Sequence, residues 1–285
     1  MTKSTRTVKR KQKSDKEIQR IYLFWSIGIP AILIILFAAY YYRGGIRFFV
    51  KNIFESGYTS DSKEIDKHNE RNIYLMSKFD DKIFGIDISE YQGNIDWVSV
   101  NTINDRFPID FIFIRATMGT TAVDKRYKSN WKSAESRAKL RGAYHYFRPN
   151  ENSIKQARNF IKTVKLTPGD LPPVLDIEER PRQQSMDSLK VGLKRWLETI
   201  ESHYKVRPII YSGDSYYTDF LEHEFTDYTL WIANYNFWVE RPKKHWNFWQ
   251  FSEKGSVTGI RGNVDLNLFD GNIEQLEQLC VPFDN

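Results

Sequence analysis

The sequence predicts an α/β fold: a barrel-like parallel sheet whose last helices are missing or reduced. Eight short apolar runs, rich in β-branched and aromatic residues, occupy 83–88, 111–116, 142–147, 173–177, 208–211, 229–233, 248–251 and 264–268. Amphipathic stretches at 130–140, 153–164, 185–203 and 215–221 separate the earlier ones. Nearly continuous apolar strands alternating with helices indicate a sheet covered on its faces by those helices. Eight strands within about 190 residues fall short of the ~250 that a full barrel of eight strands and eight helices takes. The last three runs lie too close together for helical crossovers, which is why the final helices are expected to be absent.

In chain order, residues 1–20 form a basic tail, expected on the cytoplasmic side. They carry eight Lys and Arg against Asp15 and Glu17, which accounts for the whole formal charge of +6. The remainder is balanced, so the body has no electrostatic reason to seek phosphate and no nucleic-acid partner is expected. From Ile21 to Tyr42 no residue is charged, a run long enough to cross a bilayer as a helix. It ends in Ala38-Ala39-Tyr40-Tyr41-Tyr42-Arg43, an aromatic belt with a basic stop, so 21–43 is expected to be an uncleaved transmembrane anchor. The flanking cations then place the bulk of the chain on the periplasmic or extracellular side. Residues 44–81 are mixed and charged and are read as a stem, 82–273 as the catalytic domain and 274–285 as a C-terminal tail. Cys280 is the only cysteine, so no intrachain disulfide supports the domain.

In barrels of this kind active sites sit at the C-terminal ends of the strands. Strand one ends in Gly85-Ile86-Asp87-Ile88-Ser89, strand four in Val174-Leu175-Asp176-Ile177-Glu178, and strand eight opens with Gly262-Asn263-Val264-Asp265. Carboxylates inside apolar runs cost several kcal/mol unless partnered. Asp176 and Glu178, two apart, point to one face, and crowding them raises the pKa of one, supplying an acid that can protonate a leaving oxygen near neutral pH. The many tryptophans suit a carbohydrate groove, though most are expected in the core. The five histidines lack metal-ligand spacing, and His145, at a strand end, is expected to be a hydrogen-bonding structural residue. No glycine-rich phosphate loop is present, and no cofactor is expected.

These residues resemble glycoside hydrolase family 25, the lysozyme family, over about 84–271. The elements are Gly-Ile-Asp-Ile-Ser at 85–89 with Gln92-Gly93 and Asp96-Trp97; Phe113-Ile114-Arg115-Ala116-Thr117; Arg141 to Pro149; Leu175-Asp176-Ile177-Glu178; Ile210-Tyr211; Leu230-Trp231-Ile232-Ala233; Phe248-Trp249-Gln250-Phe251-Ser252; and Gly262-Asn263-Val264-Asp265. The resemblance implies a modified TIM-like barrel of five β/α units plus three further strands. It also implies hydrolysis of the bond between N-acetylmuramic acid and N-acetylglucosamine in peptidoglycan. By the same resemblance Glu178 is the general acid, Asp176 assists through the substrate's N-acetyl group, and Asp87 and Asp265 complete the catalytic acids. Tyr144, Tyr211, Trp231 and Gln250 are expected to bind substrate. Met118 departs from the family pattern, standing where a Glu is common. Two other function classes remain open at this point: a catalytically silent peptidoglycan-binding module and a structural envelope protein.

Overall fold

The computed structural model describes residues 24–41, 60–136, 138, 140–242 and 246–283. The basic tail, the ends of the expected span at 21–23 and 42–43, and the first part of the stem at 44–59 lie outside them. The chain divides into two compact units, residues 1–54 and 55–285. In the first, a π-helical turn at Phe24–Gly28 leads into α1, Ile29–Tyr41. Pro30, which has no N–H to donate, stands where the π-helical turn passes into α1. The large side chains from Ile32 to Phe37 are all exposed, giving a helix with no polar face. Thirteen residues rise only about 20 Å, against a hydrocarbon core of about 30 Å. Among the described residues no helix is long and apolar enough to cross a membrane.

The second unit is built on a closed barrel. Its strands are β1 (Ile83–Ile88), β4 (Phe111–Met118), β6 (Leu140–Tyr146), β7 (Val174–Asp176), β8 (Ile209–Gly213), β9 (Thr229–Ala233), β10 (Phe248–Gly255) and β11 (Val264–Phe269). β2 (Thr102–Ile103) and β3 (Phe107–Pro108) form a separate small ribbon, and β5 (Ala122–Val123) pairs with the end of β4. The barrel order is β1-β4-β6-β7-β8-β9-β10-β11, closed by β11 on β1. All eight apolar runs read from the sequence become barrel strands.

One direction differs from the parallel sheet expected. β11 runs antiparallel to both β10 and β1, while the other neighbours are parallel. The connection before it, residues 256–263, is too short to carry the chain back to the start of a parallel strand. Reversal is also what brings Asp265, the second residue of β11, to the rim where the other strands end.

Alternate residues divide between two cores. Phe111, Phe113, Val174, Ile209, Trp231 and Phe248 fill the lumen. Ile112, Ile114, Leu175, Ile177, Ile210 and Ile232 face the helical layer with Phe160, Trp196 and Leu197. A Cβ on Gly85 would lie 2.4 Å from the Phe111 ring, and one on Gly142 2.5 Å from the Phe113 ring, so these glycines make room for the lumen aromatics. Over the outside lie α3 (Tyr127–Ala134), α4 (Ser153–Thr163), capped by Asn152, and α5 (Met186–Tyr204), capped by Ser185. A short helix α6 (Asp214–Tyr216) continues as a π-helical turn at Tyr217–Leu221, and α7 (Ile273–Glu277) closes the chain. Among the described residues no helix intervenes between β9 and β10 or between β10 and β11. His145 is buried and neutral, held by Thr117 at 2.7 Å and Gln156 at 3.0 Å and stacked on Trp196. Burial pushes its pKa down to about 4.

The stem reading needs correction. Residues Ser60–Lys78 form a helix, α2, and it belongs to the barrel unit. Leu75, Met76 and Phe79 enter the core, Phe79 edge-on to Trp249. Arg71 and Asn72 are also buried, and their side chains bond the backbone at Phe251 and Lys254. A helix whose buried face is half polar reads as a solvated segment in the sequence, which is why it looked like a stem.

Candidate active site

A cleft of about 210 Å³ opens at the rim where β1, β6, β7 and β8 end and β11 begins. Every one of the eight residues singled out from the sequence lines it: Asp87, Asp176, Glu178, Asp265, Tyr144, Tyr211, Trp231 and Gln250. Two wider hollows, of about 780 and 680 Å³, lie elsewhere, but each holds an aspartate already paired with arginine, Asp270 with Arg241 and Asp170 with Arg141.

Asp176 is the last residue of β7, so Glu178 lies just past the strand. The pairing nonetheless continues, because Ile177 N–H donates to the Tyr211 carbonyl at 3.0 Å, and this keeps both carboxyls on the cleft side. Asp176 is 5 % exposed, and its Oδ1 has no hydrogen-bond partner among the described residues. Burial, then the charges of Glu178 and Asp87, push its carboxyl well above the usual range, with Arg115 opposing. Glu178 stands at the open mouth, yet surrounding protein removes enough water to raise its carboxyl too, partly offset by the nearby Tyr211 hydroxyl. Burial and crowding thus push both carboxyls upward.

The second pair comes from the seam. Asp87 on β1 and Asp265 on β11 are register partners. Asp87 Oδ2 accepts from Gln250 Nε2 at 2.6 Å and Asn267 Nδ2 at 2.8 Å. Burial raises Asp87 to about 6 despite these bonds. Asp265 lacks such amide donors; burial and then the Asp87 charge push it up to about 9, so it is the member that holds the proton.

The aromatic residues divide by role. Trp231 is 2 % exposed, stacks on Phe113 with centroids 4.6 Å apart, and gives its indole N–H to Asn267 at 2.8 Å. Gln250, also 2 % exposed, accepts from Tyr211 at 2.6 Å and from Tyr235. These two form the floor and scaffold of the cleft. Tyr144 is partly open, with its hydroxyl held neutral by burial.

Ser89, Tyr91, Gln92, Arg115, Tyr146 and Tyr235 also line the cleft and were not singled out as site residues from the sequence. Arg115, a cation two residues after Phe113 on the same face of β4, could have been found by the test that flagged the carboxylates. It pairs with Asp124 at 3.1 Å and Glu90 at 3.5 Å, and Tyr91, 80 % exposed, lies over its guanidinium. Tyr235 sits in an irregular connection with no periodic signal. Met118 is outside the lining and accepts a bond from Arg148 at its sulfur.

A barrel carrying paired, proton-holding carboxyls in an aromatic-walled cleft defines a glycoside hydrolase. Residues 86–260 match Glycosyl hydrolases family 25, and the chain belongs to that family. It is 41 % identical over 199 residues to "Uncharacterized protein YegX" of Escherichia coli K12, covering 68 % of this chain and 72 % of that one. It is 33 % identical over 213 residues to "Lysozyme M1" of Streptomyces globisporus, covering 69 % and 70 %. Among solved structures, the bacterial lysozyme from Streptomyces coelicolor is similar with a TM-score of 0.62 at 29 % identity, over 70 % of this chain and 96 % of that one.

Proposed function

We propose that the chain is a muramidase, tethered to a membrane by its N-terminal segment, that cleaves the bond between N-acetylmuramic acid and N-acetylglucosamine in peptidoglycan. The observation that carries this reading is the Asp176/Glu178 pair, raised in pKa and facing one cleft, with one buried Asp176 oxygen left without a partner. A buried acceptor without a protein donor suits a ligand N–H, and an acetamido group supplies one. The name of the Streptomyces globisporus relative supports peptidoglycan as the polymer.

In this mechanism Glu178 protonates the glycosidic oxygen as the acetamido carbonyl oxygen attacks the anomeric carbon and the leaving sugar departs. Asp176 accepts the acetamide N–H and stabilises the positive charge of the cyclic intermediate. Water then attacks the same carbon, giving its proton to Glu178, which restores the acid with net retention. The Asp87/Asp265 pair holds negative charge and a proton beside the sugar without acting as nucleophile. The uncharged run at 21–42 and the apolar circumference of α1 support the tether, and the flanking cations support a cytoplasmic N-terminus with the barrel on the periplasmic or extracellular side. A tethered enzyme reaches what lies near its own membrane, so the cell's own wall is the proposed target.

The test is release of reducing ends from purified peptidoglycan by the full chain in detergent, beside its Glu178→Gln variant. Loss of an essential general acid lowers kcat by at least about 10²-fold. Borohydride reduction identifies which sugar is at the new end, and muramic acid is expected. A folded wild-type protein that releases no ends, or releases N-acetylglucosamine ends, sinks the proposal. An inverted first product would remove the acetamido step alone.

A further inference from the structure

The helix before the barrel lies outside the residues matching the family, 86–260. One of its buried polar side chains is nevertheless tied to the cleft. Arg71 is 5 % exposed. Its guanidinium donates from Nε to the carbonyl of Phe237 at 3.1 Å, and from Nη2 to those of Asn236 at 3.1 Å and Val239 at 3.2 Å. Nη1 donates to the carbonyl of Phe251 at 2.9 Å. Arginine's five donors in a rigid fork allow one side chain to hold four acceptors on two separate segments.

Those segments are the ones that meet over the acid pair. Asn236 follows Tyr235, and Phe251 follows Gln250. Tyr235 donates to Gln250 Oε1 and lies 3.2 Å from the Tyr211 hydroxyl, while Gln250 Nε2 donates to Asp87. The register of β10 shifts between Gln250 and Ser252, a bulge that leaves Phe251, whose carbonyl Arg71 holds, without a register partner. Neighbouring residues of α2 reinforce the tie. Tyr74 and Lys78 both reach Glu240, and His68 meets the Phe237 ring edge-on at 6.3 Å.

We propose that Arg71 is a positioning residue for the glycosidase site: by clamping the carbonyls of Asn236, Phe237 and Val239 to that of Phe251, it fixes the Tyr235–Gln250 contact that orients Asp87. The helix that leads into the barrel is then part of the catalytic machinery's support. The kinetic half of this inference rests on the proposed muramidase reading; the structural half does not.

The experiment compares the full chain with its Arg71→Lys and Arg71→Met variants. Lysine keeps the charge but cannot span four carbonyls; methionine fills the volume without donors. Both are measured for wall hydrolysis across pH and for amide hydrogen exchange by mass spectrometry. A group displaced by a fraction of an ångström to 1 Å costs roughly 10- to 100-fold in rate. The expected result for Arg71→Lys is a kcat fall of that order with KM changed much less and a shifted acid limb of the pH profile. Exchange should be faster in peptides covering 234–240 and 249–252, with β4, β6 and β7 unchanged. Tyr235→Phe should lower kcat in the same way, and the double variant should lose less than the product of the two single losses. Unchanged kcat, pH profile and loop exchange in folded Arg71→Lys would overturn the proposal. So would lower thermal stability without any of those changes, since that is what a merely structural arginine would show. If Arg71→Met does not fold, Arg71→Lys decides. If the wild-type chain hydrolyses no wall, the muramidase reading fails by itself, and loop exchange still decides whether Arg71 positions the site.

Discussion

Asp265→Asn isolates the cost of keeping two carboxyls opposite each other at the seam. Asp265 is raised from an ordinary value of 3.8 to about 9, by burial first and by Asp87 second. Its folded-state pKa lies above its unfolded one, so the folded state takes up a proton, and stability is greatest at low pH and falls as pH rises towards 9. At pH 7, holding a proton on a carboxyl of ordinary value 3.8 costs about 4 kcal/mol, at ~1.4 kcal/mol per pH unit. Asp265 is partly open to solvent, and screening reduces this to about 2 kcal/mol. Asparagine is neutral at every pH and still offers an N–H to Asp87, so the variant should be more stable than wild type at pH 7 by about 2 kcal/mol, or ~4–8 °C in Tm. The gain should be small at pH 5, grow to pH 9, and come with lower wall hydrolysis, as expected where a site is kept at the expense of stability. Melting curves of both proteins across that range provide the assay. Parallel pH dependences, or a variant less stable than wild type at pH 8, would refute the assignment of the proton to Asp265.

Two further outcomes follow from the packing. Gly85→Ala drives a methyl to within 2.4 Å of the Phe111 ring and should destabilise the barrel by about 1–3 kcal/mol, read as a lower Tm; an unchanged Tm would mean the lumen is looser than described. A fragment starting at Lys82 strips Leu75, Met76 and Phe79 from the core, at ~1.5–3 kcal/mol per side chain, so it should aggregate while one starting at Glu55 stays monomeric and folded; equal melting of the two would show α2 to be dispensable.

The barrel strands were legible because each is buried on both faces and therefore written as an uninterrupted apolar run. The acids were legible for the complementary reason: Asp87 and Asp176 interrupt such runs, and an interruption that expensive needs a purpose. Strand direction was not legible, since a strand apolar on both faces reads the same either way; only the short 256–263 connection carried the information about β11. Arg71 escaped notice because its partners are backbone carbonyls of residues over 160 positions away, and a carbonyl has no sequence signature. Tyr235 escaped because its place depends on that same irregular connection. Trp231 and Gln250, expected to bind substrate, line the cleft, but spacing alone did not show that both lie almost wholly beneath its surface.

The reversed last strand sets an order of assembly. Ile83 pairs with Phe269, and Asp87 with Asp265, so the first strand of the barrel finds its outer neighbour only when the last has been made. Until then the sheet is an open ribbon with two bare edges, one of them carrying Asp87 without Asn267 beside it. A chain growing from its N-terminus therefore carries an incomplete cleft for nearly the whole of its synthesis. The cleft is completed when the seam closes, and a chain truncated before residue 265 leaves Asp87 with Gln250 but without Asn267 or a partner across the seam.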